Sequence, residues 1–280
     1  MKIYFFVYRN WAFQIAKKIK NIFNLYDVQI FSLVKNEISE YDLKRYNVIL
    51  FDNKKFKKFY YYLNLKKPDI LFFLGWSNLI DKSIYKNFLC ICLHPSMLPN
   101  FRGGSPLQNQ IIRNQLISGL TLFKMNKFID GGPIISQCNL SLKGDISLVL
   151  KRIEVKGLNL INNFLQDYKN KKKLIFKKQN LKNKKIYKRR KLNESFFLIN
   201  DLKNKSFIFF NNLVNMLNDP YPNAYTVIGN KKIYIQKISK TNQNLKYLKD
   251  IRINRMNKNV NNYLIKLKDC NVKVIKSSIF

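Results

Sequence analysis

The chain has 280 residues, of which 46% are hydrophobic and 14% aromatic, enough to bury the core of one ordinary domain plus a small one and too apolar for a disordered chain. No apolar run reaches the roughly 18 residues of a bilayer-spanning helix. The apolar opening at residues 1–7 meets Arg9 and Asn10 without the longer stretch of a signal peptide, so the expectation is a cytoplasmic protein with no membrane contact. The formal net charge of +36 would suit a polyanionic partner. Lysine is nevertheless spread through segments of ordinary helical spacing, so compositional bias is the plainer account. Only the densest run, residues 169–190, stands as a polyanion contact.

Residues 2–8 predict a buried strand. Trp11, Ile15, Ile19, Ile22 and Phe23 then fall at helical spacing. Residues 28–34 and 48–51 predict two further strands, and 54–65 a helix. Pro68 and Asp69 introduce a continuous apolar run at 70–74, and another follows at 89–93, as in central parallel strands. Strands alternating with helices imply an α/β fold: a Rossmann-like, mostly parallel sheet with helices on both faces. Residues 94–106 form a Pro- and Gly-rich loop after a buried strand. A helix over 106–114 with Ser105 as N-cap follows. Strands are expected at 119–124 and 134–140 around a tight loop at 128–133, and a long helix at 147–168. The predicted domains are a catalytic domain at 1–168, a basic linker or arm at 169–205, and a small, mainly β C-terminal domain at 206–280. That last domain opens with a helix at 206–217 and continues with a hairpin of 224–228 and 232–238 around Gly229 and Asn230.

The chemistry centres on His94, the single histidine. The bland alternative is a histidine hydrogen-bonded in the core. Its position at the carboxyl end of a buried strand is where open α/β sheets place their sites. The following Arg102, Gly103, Gly104 and Ser105 offer a cation, backbone N–H groups and a helix start, suited to an anion or oxyanion of the substrate. Asp130 sits in the IDGGP loop, where it either bonds its own turn or, if the two loops abut, orients the His94 ring. Cys90, Cys92 and His94 alternate as C-x-C-x-H without the closing ligands of a zinc site, so no metal is expected.

The run LHPSMLPNFRGGSP (93–106) resembles the signature of the folate-dependent formyltransferases, a family that includes the methionyl-tRNA and sugar N-formyltransferases. TLFKMNKFIDGGPII (121–135) resembles its second signature, and weaker similarity runs through 66–77 and 219–226. The resemblance implies 10-formyltetrahydrofolate as co-substrate, a primary amine as acceptor, and an Asn-His-Asp triad. His94 and Asp130 match two members; the asparagine position holds Cys92. On a strand, residues two apart share a face, but a thiol is a weak donor. Asn78 and Asn109 are the candidates to replace it. The resemblance also implies that folate lies against Gly75, Trp76, Ser77, Met97, Leu98, Phe128 and Ile129. For Gly75 and Trp76 the competing reading is a strand end with a packed aromatic.

YRNWA (8–12), CLHPS (92–96), YKRRKLNES (187–195) and the lack of a basic insertion between Phe31 and Val48 look more like the sugar branch. The expected acceptor is therefore a small-molecule amine on an amino-sugar nucleotide, with transfer RNA as the alternative and a homodimer as an option. A folate-binding homologue that has lost activity with the asparagine is the third reading.

Overall fold

The computed structural model describes residues 1–33, 37–51, 56–76, 78–242 and 264–279. The chain divides into two compact units. The first comprises residues 1–106, 117–141 and 150–188; the second comprises 107–116, 142–149 and 189–280.

The first unit is built on strands β1 (Lys2–Val7), β2 (Asp27–Leu33), β3 (Ile49–Phe51), β4 (Ile70–Leu74) and β5 (Cys90–His94), with α1 (Asn10–Ile22), α2 (Glu40–Arg45), α3 (Phe56–Lys66) and α4 (Lys82–Asn87) between them. A two-residue strand β6 (Arg102–Gly103) follows, then α5 (Pro106–Ile111), which from residue 107 belongs to the second unit, β7 (Ile117–Lys124), β8 (Ile134–Ser141), α6 (Ile146–Lys169), which belongs to the first unit from residue 150, and a second two-residue strand β9 (Ile186–Tyr187). The main sheet has the order β3-β2-β1-β4-β5-β7-β8. Its first five strands are parallel, and β7 runs antiparallel to both of its neighbours, β5 and β8. No helix separates β7 from β8, so the chain returns directly, which only an antiparallel pair allows.

Both faces of β1 and β4 are buried, which is why these strands read as unbroken apolar runs. On one face Phe6 stacks on Phe31 and Phe73 at 5.1 and 4.7 Å, with Phe59 of α3 edge-on at 5.2 Å. On the other, Phe5 stacks on Phe72 at 4.9 Å, and Phe164 of α6 meets Phe72 edge-on. Helices therefore cover both sides. The order of strands reverses between β1 and β4, the switch point at whose carboxyl end such sheets place ligands. β5, next to β4, ends at His94.

The segment expected as a solvent-exposed basic arm differs in its first part. Residues 177–187 are held against the first unit: Lys177 and Ile134 exchange backbone hydrogen bonds of 2.7 and 2.8 Å, and β9 pairs with β6. Its lysines point outward, while a few intervening groups point in. Exposed lysine dominates the composition and hides that anchoring.

The second unit contains a 3-10 turn (Leu192–Ser195), α7 (Ile199–Leu202), α8 (Phe207–Met216) and strands β10 (Ala224–Ile228), β11 (Lys231–Thr241), β12 (Leu264–Lys266) and β13 (Asn271–Ile279). Ser206 caps α8 by accepting from Phe209 N at 3.3 Å. The sheet is antiparallel with the order β10-β11-β13-β12. Ile233, Ile235, Val272 and Val274 supply its buried face. The β10–β11 turn passes through Gly229 at φ 57°, a conformation that favours glycine.

Candidate active site

His94 ends β5, and its ring is nearly buried, with the side chain 7% exposed. Its Nε2 lies 3.0 Å from the Phe101 carbonyl oxygen. A carbonyl only accepts, so Nε2 carries the hydrogen of that bond. The other ring nitrogen, Nδ1, faces Asp130 Oδ2 at 3.5 Å. The two loops singled out by sequence thus converge on one another, and the imidazole is held at both ends.

Asp130 occupies a left-handed backbone conformation, φ 45°, unusual for a residue with a side chain. Its Oδ2 also accepts from Gly103 N at 2.7 Å. One glycine of the same turn has a packing reason. A Cβ on Gly132 would collide with the Lys124 carbonyl oxygen, so this turn can lie against β7 only as glycine. The β5–β7 pairing places Thr121 opposite His94 and Phe123 opposite Cys92. Thr121 Oγ1 donates to the Ser96 carbonyl at 2.7 Å and accepts from Leu98 N at 3.2 Å. Gln137 Nε2 bonds both Thr121 Oγ1 and the Leu98 carbonyl, at 2.8 and 3.0 Å. Thr121 and Gln137 therefore shape the His94 loop from below. Thr121 opens the 121–135 run but carries no role on sequence grounds, and Gln137 lies outside both runs.

Cys92 lies two residues before His94, packed against the buried cluster of Leu98, Phe123 and Ile134. Burial, and then the nearby negative charge of Asp130, push its thiol well above the ordinary range. The thiol stays protonated at neutral pH, which argues against a thiolate nucleophile. Of the proposed substitutes, Asn78 is half-buried after β4. Asn109 belongs to the second unit, where its side-chain oxygen accepts from Arg113 at 3.1 Å.

The anion-binding expectation for residues 102–105 meets a crowded loop. Arg102 is 3% exposed, and its Nε donates to the Ile129 carbonyl at 2.8 Å. The Gly103 amide is committed to Asp130, and the Gly104 amide donates to the Tyr187 carbonyl at 2.8 Å. Ser105 has φ 48°, not the extended backbone of an N-cap. The loop thus spends its donors on assembling the site.

Among the residues expected to line a folate, Phe128 and Ile129 are 49% and 42% exposed, directly before Asp130. Leu98 is buried with Phe123 and Ile134, and Met97 lies over Gly119. Gly75 ends β4 at φ 60°, with the Arg9 and Trp11 side chains against it. Trp76 stacks on Phe51 at 5.8 Å and joins the Phe6 and Phe73 cluster. Ser77 lies outside the described residues. Among the described residues no cluster of three His, Cys, Asp or Glu side chains could hold a metal, and no helix is long and apolar enough to cross a membrane.

A family model described as formyl transferase matches residues 29–154, which carry both converging loops. The chain is 26% identical over 172 residues to a methionyl-tRNA formyltransferase of Ureaplasma parvum, covering 55% of this chain and 56% of that one. It spans about half the length of that relative. Among solved structures, methionyl-tRNA formyltransferase from Clostridium thermocellum matches with a TM-score of 0.69 at 23% identity, over 87% of this chain and 95% of that one. WlaRD, a sugar 3N-formyl transferase solved in the presence of dTDP and 5-N-formyl-THF, matches with a TM-score of 0.65 at 20% identity, over 99% and 98%. Both share the fold: a mostly parallel sheet unit with a second, antiparallel sheet. Residues 29–154, which hold both site loops, are thus similar to the formyl transferase family.

Proposed function

We propose that this chain transfers a formyl group from 10-formyltetrahydrofolate to a primary amine. The observation that carries the reading is the contact of His94 Nδ1 with Asp130 Oδ2 at 3.5 Å, in the two loops that carry the family resemblance. The exposed Phe128 and Ile129 beside Asp130 fit a flat, partly apolar ring such as a pterin. When bound, the folate would supply the formyl carbon and a nitrogen leaving group. Asp130 accepts a proton from the attacking amine, directly or through water. His94, held at Nε2 by Phe101, presents an N–H at Nδ1 when protonated, and this stabilises negative charge developing on the carbonyl oxygen. It then hands a proton to the departing nitrogen.

For the acceptor we propose the amine of a nucleotide-linked sugar. The near-complete mutual coverage with WlaRD supports it, as do the sequence features at 8–12 and 187–195. A second reading, methionine on charged transfer RNA, is favoured by the methionyl-tRNA formyltransferases among the curated relatives and by the charge of +36. The test is a panel of amino-sugar nucleotides beside charged transfer RNA, with 10-formyltetrahydrofolate. Turnover with a sugar nucleotide, lost by a factor of about 10² or more in His94→Ala, supports the proposal. Turnover only with transfer RNA selects the second reading. Folate binding without turnover on any amine defeats both.

A further inference from the structure

Residues 177–187 have no part in the chemistry above, yet they grip both halves of the site. Gln179 is 6% exposed. Its Nε2 donates to the Asp130 carbonyl at 3.1 Å and to the Gly132 carbonyl at 2.6 Å. Because carbonyls only accept, the orientation of the amide is fixed, nitrogen toward the loop. Its Oε1 is buried and finds no partner among the described residues. A buried acceptor left unpaired carries a free-energy cost that an apolar side chain of the same size would avoid. Space filling alone therefore does not account for a carboxamide here.

The two carbonyls it holds are that of the strained residue itself and that of Gly132, two residues on. Asp130 has φ 45°, a conformation that side chains enter at a cost and keep only where their surroundings enforce it. From that turn Oδ2 reaches both His94 Nδ1, at 3.5 Å, and Gly103 N, at 2.7 Å. The main chain around Gln179 is itself pinned by Lys177 on Ile134 and by Leu181 beneath Gly131. Gln179 thus works from a fixed base.

We propose that Gln179 is a positioning residue for formyl transfer: its carboxamide holds the Asp130 main chain in the left-handed turn from which the carboxylate meets His94. This rests on the reading of His94 and Asp130 as the reacting pair. The test uses the full chain with Gln179→Met, which keeps length without the donor, and Gln179→Glu, which keeps shape but turns the donor into an acceptor. Both are measured alone and in an Asp130→Asn background, with circular dichroism to establish folding. Each single change is expected to lower kcat about 10-fold or more, with KM for both substrates within about twofold, because aim rather than binding is lost. In Asp130→Asn the same change costs less than about twofold further, since no carboxylate remains to be aimed. Equal losses in both backgrounds overturn the proposal.

A second readout does not depend on turnover. Hydrogen exchange at the Gly103 amide, which is bonded to Asp130 Oδ2, should quicken about 10-fold in Gln179→Met relative to wild type. Wild-type exchange there overturns the proposal, including where only one of the two variants folds. If the wild-type chain formylates no amine, the functional reading fails. The Gly103 amide then still decides whether Gln179 sets the Asp130 turn.

Discussion

Replacing Gly103 with alanine probes how tightly the site loops are held. Gly103 sits at φ 97°, in β6, and a Cβ there would strike the Tyr187 carbonyl oxygen, a main-chain atom with little freedom to yield. Relief requires the 177–187 segment to retreat on the order of 1 Å, an overpacking adjustment. The Gly104 N to Tyr187 O bond of 2.8 Å is lost with it. Backbone strain, the lost bond and the overpacking together come to about 3–5 kcal/mol. That lowers Tm by roughly 10 °C in a unit of this size. Gly229→Ala is the control: it also has positive φ, at 57°, but nothing lies within 4 Å of its Cβ. It should cost only about 1 kcal/mol of dihedral strain. The damage also reaches catalysis. The Tyr187 ring stacks on Phe101 at 5.0 Å, and the Phe101 carbonyl holds His94 Nε2. Displacing that stack should lower kcat about 10-fold to 100-fold. Calorimetry and the formylation assay read both effects. Equal Tm shifts for Gly103→Ala and Gly229→Ala would refute the packing of 186–187 against 102–103.

Cys92→Asn restores a full hydrogen-bond donor where the thiol is weak and is expected to raise kcat about 10-fold or more; an unchanged rate would mean that another donor already serves. Burial pushes the Cys90 thiol up to about 12 and Cys92 well above its ordinary value. A raised pKa moves the thiolate to higher pH, so at pH 7.5 iodoacetamide should label Cys138 and Cys270 first and reach Cys90 and Cys92 only after denaturation. Rapid labelling of Cys92 in the folded chain, followed by mass spectrometry, would contradict the suppression of its thiolate.

The central sheet was legible because its strands are continuous apolar runs, a pattern that only double-sided burial demands. His94 and Asp130 stood out for the opposite reason: each is an ionisable group in a loop rich in glycine and proline. Spacing along the chain gave no measure of their separation, which depends on β5 pairing with β7. The helix at 106–114 was expected too long, because Asn114 and its neighbours turn at 112–114 instead of continuing α5. The least legible feature was the 177–187 segment. Its inward groups are Gln179, Leu181 and Tyr187, scattered at no helical or strand period among lysines. A two-residue parallel ladder also needs no periodic sequence. Gln179 acts on carbonyls rather than on side chains, so nothing in the composition of its targets could have announced it. Thr121 escaped notice similarly, as a small polar residue inside an apolar strand.

The bond from His94 Nε2 to the Phe101 carbonyl has a directional consequence. A carbonyl oxygen can neither give up nor remove that hydrogen in ordinary acid–base exchange, so one end of the imidazole is closed to traffic. Protons enter and leave through Nδ1 alone, on the side shared with Asp130. The ring is therefore a single-ended valve, and in the proposed reaction the incoming amine and the departing nitrogen would pass the same carboxylate-flanked gate in turn.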